Sequence, residues 1–588
     1  MLSLTSRLSR LVGEAFQAEG LDPDLGLVRV SDRPDLAPFQ CNGALAAAKA
    51  AKKNPRAIAE AVKARLEAAG ELSDVTLAGP GFLNLTPSDS FLEAMTSELK
   101  EDPNAGAWQR EKTEKVVLDY GGPNVAKPLH VGHLRSAIIG QSLKGIMRAA
   151  GDEVLGDIHL GDWGLQMGQL IVELKHREPG LVYFDESVTS GYPEESPVTV
   201  ADLAEIYPAA SAACKESEGR MAEAQAATAE LQSGRPGYRA LWQHFVDVSR
   251  EALEGDYAAL GVQFELWRGE ASVDPLIEPM VESLQKKSLL EDSDGARVVT
   301  VARETDKKDI PPLLVIKSNG SVGYGSTDLA TLLERQQDGF DRCIYVVDKR
   351  QSEHFVQVFR AAARLGLFSE DAMEHAGFGT MNGKDGRPFK TREGGVLRLS
   401  DLISMVTEKA LERVRESDSA PEGEAMSKEE IARMVGIAAL KFADLSNPRT
   451  TDYIFDLDRF VSFEGKTGPY LQYAAVRMAS VLRKAGTGPE EAIKAPIGLS
   501  EPSEKELATL LLGFADAHRS AYEKRMPHIL CEHVFGVAQS FSKYYSNCRI
   551  SDEEDNSVRA SRLALTALTL GQVRAILTQL GIEIPKHM

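Results

Sequence analysis

Several features that would narrow the class of this chain are scarce or missing. Its five cysteines are scattered, odd in number and without a CxxC pair, which argues against a disulfide framework and a structural zinc site. No window approaches the roughly 20 apolar residues that a membrane-spanning helix needs. We therefore expect no metal centre, no membrane association and residence in the reducing cytoplasm.

Positive charge is also in short supply, because 67 Lys and Arg face 87 Asp and Glu, for a formal net charge of −20. A field of this sign repels polyanions, so any RNA-binding surface has to be local and basic. The length of 588 residues exceeds a single hydrophobic core, and domains of about 100–200 residues predict three or four of them.

The first residues contain Ser and Arg and no acid before Glu14, a composition that organellar transit peptides share. However, Leu4, Leu8, Leu11 and Val12 lie on one helical face, which favours an ordinary first helix.

Residues 1–105 alternate short helical and strand-like stretches and predict a small α+β domain. A strand at 116–120, a Gly-Pro-Asn loop, a helix at 133–149 and a strand at 153–162 then form a βαβ unit. This pattern is typical of a doubly wound nucleotide-binding fold, in which ligands bind at the carboxyl ends of the strands.

We place this second domain at 112–455, with an insertion at about 180–290 that contains exposed, Ala- and Glu-rich helices in 195–235. After about residue 456 strand signals vanish, and amphipathic patterns predict an all-α bundle over 456–588.

The segment PNVAKPLHVGHLRS at 123–136 places His130, Gly132 and His133 where the first strand turns into its helix. A helix N-terminus offers unpaired N–H groups and partial positive charge to phosphate, and two imidazoles can donate further hydrogen bonds. Glycine lets a nucleotide approach the backbone closely. Two incidental histidines at a helix start are the alternative, but the length of the string argues against it.

This string resembles the HxGH signature of the class I aminoacyl-tRNA synthetases, and the chain resembles the arginyl-tRNA synthetase family, bacterial type, over nearly its whole length. The resemblance implies a multidomain α/β protein: a Rossmann-like doubly wound parallel-sheet catalytic domain with an insertion, a small N-terminal α+β domain that contacts tRNA, and a C-terminal all-α anticodon-binding bundle. It further implies ATP with Mg²⁺, L-arginine and tRNA(Arg) as reaction partners, a monomer, and His130, Gly132 and His133 as ATP-binding residues.

Class I enzymes also carry a mobile lysine-bearing loop, which in this chain is degenerate. The best candidate is GKDGRPFKTREGG at 383–395, where Lys390 and Arg392 resemble the family's version and glycines supply hinges. The resemblance suggests that Lys127 takes over part of this electrostatic work, whereas the alternative is a solvated surface lysine. By the same resemblance Gly161, in GDWGLQMG, admits ATP, although a packing turn is equally consistent.

A guanidinium requires carboxylates in fork geometry. By resemblance, Asp119, Gly122 and Asn124 line the amino acid together with His133, as does the pair Tyr324 and Asp328, four residues apart at a helix entry. Asp328 as a simple helix cap is the alternative. The family also places a glutamine near the substrate's amino group, which here is Gln351, with His354 beside it at the carboxyl end of a strand read over 343–354.

The terminal domains resemble the family's RNA-facing modules. Aromatic and polar side chains suit splayed anticodon bases, although aromatics at helical spacing more often pack in a core. The candidate tRNA contacts are Phe39, Gln40 and Asn42 in the N-terminal domain and Tyr470, Tyr473, Tyr545 and Met588 in the bundle.

Four other functions compete with this interpretation. A class I synthetase for another amino acid, or a small-molecule nucleotidyltransferase, would share HxGH but not the arginine-pocket strings. A catalytically silent RNA-binding paralogue would be expected to have damaged phosphate motifs, yet His130, Gly132 and His133 are intact. A purely structural protein leaves the motifs at the strand ends unexplained.

Overall fold

The structure is a computed structural model that describes residues 3–318, 320–383, 386, 397–416 and 426–588. It has the multidomain α/β architecture predicted from the sequence: a small α+β part, a parallel-sheet part with helices, and a helical C-terminal part.

The N-terminal part begins with an amphipathic helix, α1 (Leu4–Ala18), whose Leu4, Leu8 and Val12 are buried, so the first-helix prediction is confirmed. An antiparallel sheet in the order β1-β2-β4-β3 completes the core. The elements after α1 are β1 (Val28–Val30), β2 (Phe39–Cys41), α2 (Gly43–Ala51), α3 (Pro55–Ala69), β3 (Leu72–Ala78), β4 (Phe82–Pro87) and α4 (Asp89–Lys100).

A four-stranded parallel sheet in the order β11-β10-β5-β6 forms the centre of the second part. The central strand β5 consists almost entirely of buried residues, as expected for a strand that is covered on both faces of the sheet. The chain leaves β5 for β6 on one side, and β10 pairs with β5 on the other side, so a crevice opens between the carboxyl ends of β5 and β10. The strands are β5 (Lys115–Tyr120), β6 (Glu153–Asp157), β10 (Arg342–Val346) and β11 (Met373–His375).

Two strands are shorter than the sequence predicts. The strand read over 153–162 ends at Asp157, after which the chain pairs irregularly with residues 266–269: Ile158 N–H donates to Leu266 O at 3.2 Å and Leu160 N–H to Arg268 O at 2.7 Å.

The strand read over 343–354 ends at Val346, which corrects the placement of Gln351 and His354 at its carboxyl end. Gln351 ends a 3-10 turn, and His354 lies in the first turn of the helix that follows. The turn forms because the Asp348 carboxylate accepts a hydrogen bond from Arg350 N–H at 2.8 Å and caps it.

The predicted helices within 195–235 are present, but one face of them is packed rather than exposed. Ala224 and Ala227 are buried, and a Cβ on Gly168 would lie 2.2 Å from Ala224 O, so glycine permits this contact. The helices of this region are α6 (Leu165–Arg177), α7 (Val200–Glu216), α8 (Glu218–Gln232), α9 (Pro236–Ala259) and α10 (Glu270–Lys286), and an antiparallel sheet follows with β7 (Glu291–Ser293), β8 (Ala296–Val299) and β9 (Leu313–Ile316).

The helix α5 leaves β5 and is held to the later part of the chain by a buried ion pair, in which Arg135 Nε donates to Asp444 at 2.9 Å. The remaining elements of this part are α5 (Val131–Ala149), α11 (Tyr324–Gln337), α12 (Ser352–Leu365), β12 (Met381–Asn382), α13 (Leu399–Glu416), α14 (Lys428–Leu445) and β13 (Tyr453–Ile454).

From β13 onward every regular element of the described chain is helical, as predicted. A buried ion pair joins two of these helices, with Arg562 Nε 2.8 Å from Glu504 Oε1 and side chains 9% and 1% exposed. The helices are α15 (Leu457–Phe460), α16 (Gly468–Lys484), α17 (Pro489–Ala492), α18 (Pro502–Leu512), α19 (Phe514–Lys524), α20 (His528–Asn547) and α21 (Asn556–Gln579).

The thiols share one environment. All five cysteines are unpaired and buried, and burial raises the pKa of Cys41, Cys343, Cys531 and Cys548. Among the described helices, none combines the length and apolar character needed to cross a membrane.

The Arg562–Glu504 pair generates a stability prediction. Arg562→Met leaves the Glu504 carboxylate buried without its cation, which costs about 3–5 kcal/mol, so we expect a clear fall in the thermal unfolding midpoint. Arg574→Met is the matched control, because Arg574 is exposed on the same helix, α21. Equal unfolding midpoints in a scanning calorimeter for the two variants would show that the ion pair does not stabilise the bundle.

Candidate active site

A cleft of about 460 Å³ opens at the carboxyl ends of β5 and β10. The structure brings to it residues that are far apart in sequence, from the end of β5, the start of α5, the turn after β10 and the segment that enters β12. Ser136 ties these elements together, because its Oγ accepts a hydrogen bond from Gly121 N–H at 2.8 Å and donates to Val346 O at 2.6 Å. The predicted site residues that line the cleft are Asp119, Gly122, His130, Gly132, His133 and Gln351.

The two histidines of the motif cap the helix that they begin. His130 is the N-cap of α5, and its Nδ1 accepts a hydrogen bond from Gly132 N–H at 3.0 Å. Reciprocally, His133 Nδ1 accepts from His130 N–H at 3.1 Å. A Cβ on residue 132 would lie 2.7 Å from His130 Cε1, so Gly132 makes room for the imidazole as well as for a ligand.

This capping decides where the imidazole protons lie. Since both Nδ1 atoms accept backbone hydrogen bonds, each neutral ring carries its proton on Nε2. Burial lowers the pKa of His133 to about 4, with a further contribution from His130, and burial and Lys127 lower the pKa of His130. At neutral pH the pair therefore consists of two uncharged donors at a helix N-terminus, which is an arrangement suited to phosphate oxygens.

Lys127 lies close enough to both histidines to lower their pKa values. Its Nζ is 4.6 Å from the centre of the Tyr207 ring, a cation–π distance. Tyr207 belongs to α7, in the inserted region, so this region contacts the lysine that precedes the HxGH motif.

Asp119 is bonded within the protein. Arg335, fully buried on α11, donates to Asp119 Oδ2 at 2.6 Å and to Asp157 Oδ2 at 2.8 Å. Burial opposes the charge of Arg335, but the carboxylates help to raise its pKa, while burial raises the pKa of Asp119. His159 is near enough for a metal-ligand cluster with these aspartates, yet the guanidinium already occupies the carboxylates.

Tyr324 and Asp328 lie in the first turns of α11, on the same side of the helix as Arg335. The N-cap of α11 is Gly323, so Asp328 is not a helix cap. Its Oδ2 instead lies 2.7 Å from His354 Nε2 on α12, and Tyr324 is 76% exposed. Arg335 and His354 thus connect this pair to β5 and to the turn that carries Gln351.

Glu270 is a candidate residue that the sequence analysis missed. It begins α10. Burial, with smaller contributions from the carboxylates of Asp162 and Asp328 and against the effect of His159, raises its pKa to about 7. Carboxylates that destabilise one another's negative charge favour a bound cation. Its place in the first turn of an amphipathic helix marks it only as an ordinary helix-start acid.

Asn124 and Gly161 lie side by side next to the cleft. Val125 N–H donates to Gly161 O at 3.0 Å, and Gly161 N–H donates to Pro123 O at 3.0 Å. A Cβ on Gly161 would be 2.1 Å from Asn124 Oδ1. Close packing on Asn124 therefore accounts for this glycine, and an ATP contact at Gly161 stays a prediction.

Lys390 and Arg392 lie outside the described residues. The chain on either side of their segment borders the cleft: Met381 lines it, and Val131 N–H, at the start of α5, donates to Leu397 O at 3.1 Å. The assignment of this segment as the lysine-bearing loop stays a prediction.

The candidate RNA contacts differ in exposure. Phe39 is 3% exposed in the core of the N-terminal part, so its ring does not lie at the surface, and a tRNA contact at this position stays a prediction. Gln40 is half-buried and donates to Asn84 Oδ1 at 3.0 Å, whereas Asn42 is exposed. In the bundle, Tyr473 is 45% exposed, and Tyr470, Tyr545 and Met588 are partly buried.

Three family models match successive parts of the chain. The family model described as "tRNA synthetases class I (R), catalytic domain" matches residues 94–457, "DALR anticodon binding domain" matches 471–588, and "Arginyl tRNA synthetase N terminal domain" matches 3–86. With the histidine-capped helix at the strand crevice, they define a class I aminoacyl-tRNA synthetase.

Full-length relatives narrow this class. The chain is 52% identical to the arginine–tRNA ligase of Hyphomonas neptunium and 49% identical to that of Maricaulis maris, with complete coverage of both sequences in each case. It is therefore a member of the arginyl-tRNA synthetase family. Its reaction is that of an arginine–tRNA ligase: ATP-dependent activation of L-arginine and transfer to the 3′ end of tRNA(Arg).

Solved structures show the same fold. The arginyl-tRNA synthetase of Plasmodium falciparum superposes with a TM-score of 0.82 and that of Thermus thermophilus with 0.78. Each is 23% identical to this chain, and the chains are covered completely in both directions.

The capped histidine pair generates a pH prediction. Because His133 has a pKa of about 4 in the folded protein and about 6.5 in an unfolded chain, its imidazole stays neutral with the proton on Nε2 down to about pH 5.5. The contribution of His133 to the free energy of unfolding is complete above pH 6.5 and is lost as the pH falls toward 4. Long-range ¹H–¹⁵N spectra of histidine-labelled protein measure the tautomer, and His133→Gln assigns the signal. Titration of His133 near its ordinary pKa would contradict the capping argument.

Proposed function

We propose that the cleft binds ATP at the N-terminus of α5 and L-arginine between β5 and α11, with the residues below in the stated roles. The observation that carries this proposal is the pair of neutral Nε2–H donors that α5 presents at its N-terminus. Donors that are already in place can stabilise the negative charge that develops on phosphate during transfer, and they do not have to reorganise as the reaction proceeds.

ATP is bound through His130, Gly132 and His133, with Gly161 nearby and Lys127, Lys390 and Arg392 supplying positive charge. The carboxylate of arginine attacks the α-phosphate in line, forming an O–P bond as the bond to the β-phosphate breaks and pyrophosphate leaves. The terminal ribose hydroxyl of tRNA then attacks the activated carbonyl, losing its proton as AMP departs. Positioning and electrostatics accelerate both steps, and no covalent enzyme intermediate forms.

The guanidinium of arginine is bound by Asp328 and Tyr324, and we add Glu270 to this group. Asp119, Gly122, Asn124 and Gln351 contact the α-amino and carboxylate end, with His133 at the boundary between the two substrates. Since Arg335 already bonds Asp119, the carboxylates left for the guanidinium are Asp328 and Glu270. A cation-lacking amino acid would leave both unpaired, which is a strong source of discrimination.

Mg²⁺ would accompany ATP as part of the nucleotide substrate. The cluster of Asp119, Asp157 and His159 does not fit it, because Arg335 donates to both carboxylates. When bound, the ion screens the charge of the departing pyrophosphate.

For the rest of the chain we propose an N-terminal domain at 1–105 that contacts tRNA through Gln40 and Asn42, and a catalytic domain at 112–455. An anticodon-binding bundle at 456–588 contacts tRNA through Tyr470, Tyr473, Tyr545 and Met588. We further propose a monomer that works in the cytoplasm, where the unpaired thiols remain reduced.

Asp328→Asn tests the arginine pocket. Removing the charge from one partner of a hydrogen-bonded ion pair costs about 2 kcal/mol or more, so we expect the KM for arginine in tRNA charging to rise roughly 30-fold or more. The KM for ATP should change little. Glu353→Gln is the control, since Glu353 is an exposed carboxylate on the neighbouring helix α12. An unchanged KM for arginine in Asp328→Asn, or charging with another amino acid by the unaltered protein, would refute the assignment.

Lys127→Met tests the phosphate side. Loss of a cation that acts on the transferring phosphoryl group is expected to lower kcat for adenylate formation about 10²-fold, with little effect on the KM for arginine. The measurement is arginine- and tRNA-dependent ATP–pyrophosphate exchange, and Lys112→Met supplies an exposed-lysine control. If both variants exchange at the same rate, Lys127 is a solvated surface lysine.

A further inference from the structure

His354 makes a contact that the reaction scheme does not use. Its Nε2 lies 2.7 Å from Asp328 Oδ2, and the two side chains are 33% and 32% exposed. The bond joins α11 to the first turn of α12, directly after the turn that carries the cleft residue Gln351. Asp328 is the carboxylate assigned above to the guanidinium, so the inference rests on the proposed function.

The imidazole can hold Asp328 in two protonation states. A neutral ring with its proton on Nε2 donates one hydrogen bond, and a protonated ring makes a charge-assisted bond. The hydrogen bond that His354 donates to Asp328 raises the pKa of His354 despite partial burial, so the imidazole keeps its proton to a higher pH than a free histidine does. A guanidinium on the same carboxylate would face that imidazolium, and like charges at this distance disfavour the proton.

Other charged groups around α12 have partners of their own. Lys349 Nζ is 2.9 Å from Asp452 and Arg350 is 2.7 Å from Asp348 in the preceding turn, His375 on β11 contacts Val347 O at 3.1 Å, and Glu370 in the next 3-10 turn bonds Arg303. Asp371 follows Glu370 and has its own bond to Ser369. Glu353 is exposed, and β9 carries no ionisable residue.

One further group can titrate in the same range. Glu270 on α10 has a pKa of about 7, to which Asp328 contributes. A bound guanidinium would favour its charged form, so it too would release a proton. Any measurement of linked protons therefore has to separate His354 from Glu270.

We propose that binding of L-arginine expels a proton from His354, and that His354 is a positioning residue which sets how the affinity for arginine depends on pH. Below the pKa of His354 in the free protein, arginine has to displace this proton, so the Kd for arginine rises as the pH falls, by up to about tenfold per pH unit. Above it, the neutral ring keeps its hydrogen bond and orients Asp328 toward the substrate.

Calorimetric titration of the full chain with L-arginine, in buffers of different ionisation enthalpy at one pH near 7, counts the protons released. His354→Gln keeps an N–H donor for Asp328 but cannot be protonated. We expect this variant to release fewer protons than the unaltered protein and to show a flatter dependence of Kd on pH, while Glu270→Gln still releases the proton of His354. Equal release and an equal slope in His354→Gln and the unaltered protein would overturn the proposal.

A second measurement uses the unaltered protein and requires no variant. In the unaltered protein, the pKa of His354 measured from its ¹³C–¹H signals should fall by about one unit or more on saturation with arginine, and an unmoved pKa would contradict the proposal. His354→Leu should weaken binding at every pH, and His354→Gln should restore it at high pH.

Asp328→Asn distinguishes a failure of the guanidinium assignment from a failure of the role of His354. If Asp328→Asn binds arginine as tightly as the unaltered protein, the guanidinium assignment fails. If it loses arginine while His354→Gln keeps full proton release, only the role of His354 fails.

Discussion

The position of the proposed arginine pocket depends on one buried cation. Arg335 reaches from α11 to Asp119 at the end of β5 and Asp157 at the end of β6. This fixes the helix that carries Tyr324 and Asp328 against the crevice in the parallel sheet. Two carboxylates share one guanidinium, and within the described residues Arg335 Nε and Nη1 lack hydrogen-bond partners. Polar atoms without hydrogen-bond partners in a dry interior cost folding free energy. In spite of this cost, the same side chain fixes α11, β5 and β6 relative to one another.

In the function that we propose, the site is electrostatically divided between α5 and α11. At the α5 end, neutral imidazoles, a helix N-terminus and Lys127 favour anionic phosphate. At the α11 end, Asp328 and Glu270 carry or can acquire negative charge and favour a cation. Arginine, with a carboxylate at one end and a guanidinium at the other, matches this polarity only in the orientation that points its carboxylate at the nucleotide. An overall charge of −20 therefore coexists with a local site for a polyanion.

Local signals in the sequence were sufficient for the framework. The strand–turn–helix around His130 and His133 could be read directly, because strand periodicity, glycine and a helix start lie within a few residues of one another. Contacts across long separations could not. Nothing near Asp119 indicates that Arg335, 216 residues later, donates to it, and nothing near Glu270 indicates that Asp328 helps to raise its pKa. The sequence predicts strand through the capped turn after Val346, because the apolar run of the strand leads directly into the polar residues of the turn. The sequence does not show that Phe39 is buried, because its burial depends on how the N-terminal part folds around it.

The buried thiols have a practical consequence. Only a thiolate reacts rapidly with maleimides or disulfide reagents, and an apolar interior suppresses both its formation and access to it. All five native sulfhydryl groups lie inside the protein. A cysteine introduced at an exposed position such as Glu353 would then be the fastest-reacting thiol of the folded chain, so that a single fluorophore could be attached near the pocket with every natural cysteine left in place.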